Sequence, residues 1–222
     1  MQSDRINADF AQRVVLDTDS LNWIASPQPG VERRMPDRIG GEVARATSLV
    51  RYAPNSHFPP HVHELGEEFL VLDGVFSDES GDYPKGTYVR NPPGSRHTPF
   101  TDPGCIILVK LRQMHAGQNQ HVAIDTTRAV WRDGSVKGQS TLTLYDDPHI
   151  EFVELVRLSP GVRLAPREVQ GGEEIFVLEG SLQDAHGSYG PRSWIRNPAG
   201  FRYELGTAGG ALFWTKRVRG FS

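Results

Sequence analysis

The sequence predicts an all-β protein built as two tandem barrels, and two observations carry that prediction. The first is composition: the 222 residues include 23 glycines and 16 prolines, and long runs with a period of 3.6 are hard to find, which is the pattern of short strands and many turns. The second is a repeat. Sliding the chain on itself by 106 residues lays Glu67-Glu68-Phe69-Leu70-Val71-Leu72-Asp73-Gly74 on Glu173-Glu174-Ile175-Phe176-Val177-Leu178-Glu179-Gly180. The same shift pairs Gly81-Asp82-Tyr83 with Gly187-Ser188-Tyr189, and Arg90-Asn91-Pro92-Pro93-Gly94 with Arg196-Asn197-Pro198-Ala199-Gly200. A period this long duplicates a whole domain, where a solenoid or propeller unit would repeat every 20 to 50 residues.

Taken in order, the first copy has candidate strands at 47–53, 68–72, 86–90 and 106–111, and the second at 152–158, 174–179 and 211–218, each bounded by Gly, Pro, Asp or Asn. Trp23 and Trp131, offset by 108, are expected to open matching strands. The polar stretch 113–120 is poor core material, so the domains are expected at 1–115 and 116–222. Paired barrels within one chain make a monomer sufficient. Cys105 has no cysteine to pair with, and its flank Ile106-Ile107-Leu108-Val109 reads as a buried strand.

Charge narrows the function classes. With 24 basic and 27 acidic residues and a net charge of -3, the chain shows no electrostatic footprint for a nucleic-acid backbone, and direct nucleic-acid binding is not expected. The polar start Met1-Gln2-Ser3-Asp4-Arg5 is unlike a signal peptide, and no apolar run is long enough for a membrane span. A cytoplasmic location, without membrane partners, is the expectation.

The chemistry is concentrated in the first copy. His61 and His63 are two apart on a predicted strand, so both imidazoles point to one face, taken to be the barrel interior. Glu67 follows beyond the Glu64-Leu65-Gly66 turn, and Pro92-Pro93-Gly94 aims His97 back across the barrel. Three imidazoles and a carboxylate suit one divalent ion, with zinc, iron(II) and nickel all compatible. Buried unpaired, these side chains would be costly. His57 has the same parity as His61, but Pro59-Pro60 intervenes, which favours a rim or supporting position. Arg96 reads as a rim arginine near any anionic ligand. Phe58, Phe69, Val71, Tyr88 and Phe100 could line a pocket or pack the core.

The pattern His61-x-His63-x3-Glu67-x6-Gly74, followed by Gly86-x5-Pro92-x-Gly94-x2-His97, resembles the paired motifs of the cupin superfamily, whose fold is the jelly-roll, or double-stranded β-helix, barrel. Thr101 stands where the family often has asparagine. The wording of 57–63, 66–76 and 88–97 is most similar to the cupin-like domain of the anti-sigma factor ChrR. That resemblance implies a regulator or sensor of small molecules or oxidative stress. ChrR-type regulators grip their sigma factor through an N-terminal zinc domain. No His/Cys cluster lies in residues 1–40 here, so a sigma-factor partner by that route is not expected. ChrR-like cupins also resemble dioxygenases that cleave acetylacetone, which makes an iron(II)-dependent cleavage of a small diketone or hydroxyketone the alternative. A binding module with a structural metal is the third reading. No catalytic residue is assigned.

In the second copy the four ligand positions hold Arg167, Val169, Glu173 and Tyr203. Arginine and valine offer a cation nothing, so this barrel is expected to be a vestigial site in which Arg167, Glu173 and Tyr203 form a polar cluster in place of the metal.

Overall fold

The computed structural model describes residues 4–219. They form strands joined by turns, with no α-helix among them, and they divide into two units: residues 4–8 with 21–129, and residues 9–20 with 130–219. No helix among the described residues is long and apolar enough to cross a membrane.

Each unit repeats one strand order. In the first sheet the sequence of neighbours is Val31–Ile39, Arg45–Tyr52, Cys105–Leu111, Glu67–Asp78, Thr87–Asn91 and Val122–Asp125. In the second it is Gln139–Asp146, Glu151–Leu158, Ala211–Val218, Glu173–Gly180, Ser193–Asn197 and Val14–Asp17. The last strand of the repeat thus inserts between its first and second hydrogen-bonded partners, the crossing of a jelly roll. Trp23 and Trp131 directly precede the short strands Ile24–Ala25 and Arg132–Asp133.

Alternation along these strands places the core. Phe69 and Val71 share a face with Val50, Phe76, Val89, Ile107 and Val109 in one buried cluster, and Ile175 and Val177 join Val156, Leu182, Ile195 and Phe213 in the other. Each such side chain is worth about 1.5–3 kcal/mol when fully buried. Cys105 belongs to the first cluster, and burial pushes its thiol up to about 12, so it behaves as a small hydrophobe. Phe69 and Val71 are therefore core residues rather than pocket lining.

The shared glycine is a requirement of the fold. At Gly74 and Gly180 the backbone turns to φ +71° and +69°, and an added Cβ would lie 2.0 Å from the carbonyl oxygen of Gly104 and 2.1 Å from that of Gly210. Both sit beside a register shift, at Val71/Asp73 and Val177/Glu179, where one extra residue bends the strand.

Strand pairing crosses the expected break between residues 115 and 116. Val122–Asp125 adds itself to the edge of Thr87–Asn91 in the first sheet, so the first unit runs on to residue 129. Reciprocally, Val14–Asp17 pairs with Ser193–Asn197 and belongs to the second unit. An open sheet edge leaves N–H and C=O groups unpaired, and these short apolar arms satisfy them.

Candidate metal centre

The strand His61–Val62 pairs antiparallel with Arg96–His97, which sets His61 directly across from His97. His63 is tied to the same turn: its N–H donates to Ser95 O at 2.9 Å, and its carbonyl accepts from Gly94 N at 2.8 Å. The three rings converge, with centroids 4.6–5.0 Å apart and planes 72–79° to one another. Their ligand nitrogens all lie within 4.8 Å of each other, which is the scale of a single metal ion with imidazoles at about 2.0–2.1 Å.

The hydrogen bonds decide which nitrogens are free. Nδ1 of His61 lies 3.2 Å from Pro59 O, and a carbonyl only accepts, so this nitrogen carries the proton. Nδ1 of His97 donates to Asp78 Oδ2 at 3.1 Å. The Nε2 atoms of His63 and His97 are buried and have no hydrogen-bond partner. Buried polar atoms are nearly always satisfied; a cation shared between these lone pairs would satisfy both at once, and the residues fit such an ion.

Glu67 stands beside them. Its Oε2 is 3.6 Å from His63 Nε2 and 3.8 Å from His97 Nε2, and it accepts a hydrogen bond from Asn91 Nδ2 at 3.1 Å. The electrostatics divide the two buried rings. Burial, helped by the neighbouring imidazoles, holds His63 below the usual histidine range. Burial also opposes the charged form of His97, but the Asp78 hydrogen bond and the charges of Glu67 and Asp78 outweigh it and raise its pKa. Asp78 itself is held below the ordinary value: burial alone would raise it, but hydrogen bonds from His97 and the Ser80 backbone prevail.

The expected residues lie at different depths around the cluster. His61 is at the exposed mouth and not in the interior, because its strand is only two residues long and follows Pro59-Pro60. His57 is exposed and stacks on Phe100, with ring centroids 5.8 Å apart. Arg96 is exposed on the face opposite His97. Asp78 and Asn91 were not expected at all. The repeat was the available signal, since Asp184 and Asn197 stand at the same shift of 106.

A cavity of about 320 Å³ adjoins the cluster. His61 and Glu67 lie on its wall, together with Val31, Val50, Tyr52, Phe58 and Leu111. Burial and the nearby Glu67 keep the Tyr52 phenol protonated, so it can only donate its proton or accept through oxygen. Tyr88 lies elsewhere, donating to Glu68 Oε2 at 2.7 Å.

The second barrel uses the same frame differently. Arg167 sits across from Tyr203, as His61 does from His97. Glu173, whose side chain is 0% exposed, accepts from Arg167 Nη2, from the Tyr203 hydroxyl, and from Thr215 Oγ1 at 3.2 Å. Arg167 is 28% exposed and also donates through Nε to Tyr203 at 3.1 Å. Val169 joins the apolar core.

A family model for the ChrR cupin-like domain matches residues 11–115 and again 119–219. No curated protein matches the chain in sequence. Among solved structures, a candidate dioxygenase from Nostoc punctiforme is 18% identical with a TM-score of 0.79, over 95% of this chain and 83% of that one. A cupin 2 conserved barrel domain protein from Leptotrichia buccalis is 13% identical with a TM-score of 0.63, over 96% and 99%. A bacterial pirin from Escherichia coli, in complex with nickel(II), is 9% identical with a TM-score of 0.70, over 94% and 100%. At these identities the likeness is one of fold.

Proposed function

The chain belongs to the ChrR cupin-like domain family, and from that premise we propose that its first barrel is a mononuclear metal site that receives a small organic molecule, with iron(II)-dependent dioxygenase cleavage of a small diketone or hydroxyketone as its reaction. The observation that carries this reading is the apolar cavity whose wall includes His61 and Glu67. A metal that only staples a fold is closed off by its ligands; here two of the four candidate ligands border a space of ligand size.

His61, His63, His97 and Glu67 would hold the ion, which supplies Lewis-acid chemistry and, as iron(II), redox chemistry. The protein's own contribution is positioning. Pro59 O and Asp78 fix two imidazoles in the tautomer that leaves Nε2 free, and Asn91 holds the carboxylate. Val31, Val50 and Leu111 exclude water from the bound molecule, while the Tyr52 hydroxyl offers a hydrogen bond.

The match to the ChrR cupin-like domain supports a second reading, in which the same cavity senses a small molecule or oxidant without turnover. Anaerobic purification, metal analysis and O2 uptake on acetylacetone and hydroxyketones with iron(II) restored separate the two. Uptake that needs both iron and substrate supports the enzyme. Binding of the ketone to the metal-loaded protein without uptake supports the sensor, and a protein that retains no divalent ion excludes both.

A further inference from the structure

We infer that Arg33 forms an anion subsite in the cavity beside the metal centre, and that the ligand is a small organic anion: a carboxylate or enolate on an apolar body. This rests on the cavity reading above and names the class of molecule the cavity takes.

Arg33 is two residues beyond Val31 on the strand Val31–Ile39, so the two share a face. In register, Val31 pairs with Tyr52 and Arg33 with Val50, and all four line the cavity. A guanidinium is therefore placed among apolar walls, where a charge without partners is costly. Its Nε is buried with no hydrogen-bond partner. The carboxylate that approaches it is Glu42, which is exposed and lies 3.3 Å from Nη2. The neighbouring arginines are committed elsewhere: Arg51 pairs with Glu32 at 2.5 Å, and Arg34 and Arg51 stack on Trp23 at 4.5 and 4.4 Å.

A planar guanidinium with a free edge donor matches a carboxylate or enolate better than any neutral group. Glu67 alone would repel an anion from this cavity. A divalent ion reverses that balance, so Arg33 and the ion would together attract the anionic end while Val31, Val50 and Leu111 cover the apolar body.

Benzoate and its neutral analogue benzamide probe the subsite by calorimetry, on zinc-loaded and on metal-free protein, with zinc content measured in each sample. Benzoate should bind the wild type more tightly than benzamide does. Arg33→Met should weaken benzoate by about tenfold or more, equivalent to ~1.4 kcal/mol, and leave benzamide and zinc content unchanged. Glu42→Gln, which frees the guanidinium without touching the cavity wall, should tighten benzoate. Loss of zinc from the wild type would defeat the metal reading alone, because Arg33 dependence can still be read on the metal-free protein. The subsite is overturned if benzoate fails to bind either form, binds no better than benzamide, or binds Arg33→Met as it binds the wild type.

Discussion

The single contact between His97 Nδ1 and Asp78 Oδ2 shows how much of the site lies behind the residues that would touch a metal. Asp78 also accepts from Tyr83 OH at 3.2 Å and from Ser80 N at 2.8 Å, so the carboxylate is held from three sides and in turn fixes the imidazole. Replacing Asp78 with Asn keeps the shape but removes the charge that makes His97 a good donor. Metal affinity should fall by about 10–100-fold, read by competition against a chelator of known affinity, while His63→Ala should abolish binding and Val169→Ala leave it unchanged. Equal affinity for Asp78→Asn and wild type would remove Asp78 from the site. The histidines and Glu67 were legible in the sequence because their spacing is short and their chemistry unusual for a barrel interior. Asp78 was not, because one aspartate near a Gly81 turn looks like any solvated turn residue. Arg33 was hidden in the same way among the charges of Val31–Ile39.

At the scale of elements, the edge arms are what the sequence concealed. Val122-Ala123-Ile124 and Val14-Val15-Leu16 are too short to read as strands alone, and only pairing reveals that each completes the other copy's sheet. The strand Val31–Ile39 was missed for a different reason: its run of Glu32, Arg33, Arg34, Asp37 and Arg38, with Pro36, breaks the alternation that signals a strand, and the register indeed shifts between Arg34 and Asp37. The seven predicted strands, by contrast, are rich in apolar and β-branched residues and bounded by turn residues, and all fall within or one residue beyond observed strands. The arm of the second unit also delivers a charge. Arg13 donates to Asp184 Oδ2 at 2.7 Å, to Tyr189 OH at 2.9 Å and to Asn197 Oδ1 at 3.0 Å. Asp184 is the counterpart of Asp78, with a side chain only 1% exposed. Arg13→Ala would leave that carboxylate with only the Tyr189 hydroxyl and the His186 N–H as donors and should cost about 2–3 kcal/mol in urea denaturation, below the ~3–5 of a wholly buried pair because the guanidinium is 17% exposed. A loss under ~0.5 kcal/mol would mean that water replaces the arginine freely.

Over the whole molecule, one backbone plan supports two solutions to the same problem, which is how to satisfy a buried glutamate and its neighbours inside a small barrel. The first unit converges three imidazoles beside Glu67; the second surrounds Glu173 with Arg167, Tyr203 and Thr215. The registers coincide, with His61 opposite His97 and Arg167 opposite Tyr203, and the glutamate–asparagine contact is present in both, at 3.1 Å for Asn91 and 3.4 Å for Asn197. If side chains alone separate the two solutions, then Arg167→His, Val169→His and Tyr203→His together should turn the second barrel into a metal site. Elemental analysis should show the ion content per chain doubling relative to wild type. Without metal the triple variant should be less stable, because Glu173 loses its cation, and added metal should restore it by ~4 kcal/mol at about 1,000 times the dissociation constant. The new site should also be the weaker of the two, since Arg13 already occupies Asp184, the carboxylate that would have to orient the imidazole introduced at 203. A triple variant that folds, keeps the wild-type ion content and gains no stability from metal would show that the two barrels differ in backbone geometry and not only in the residues they carry.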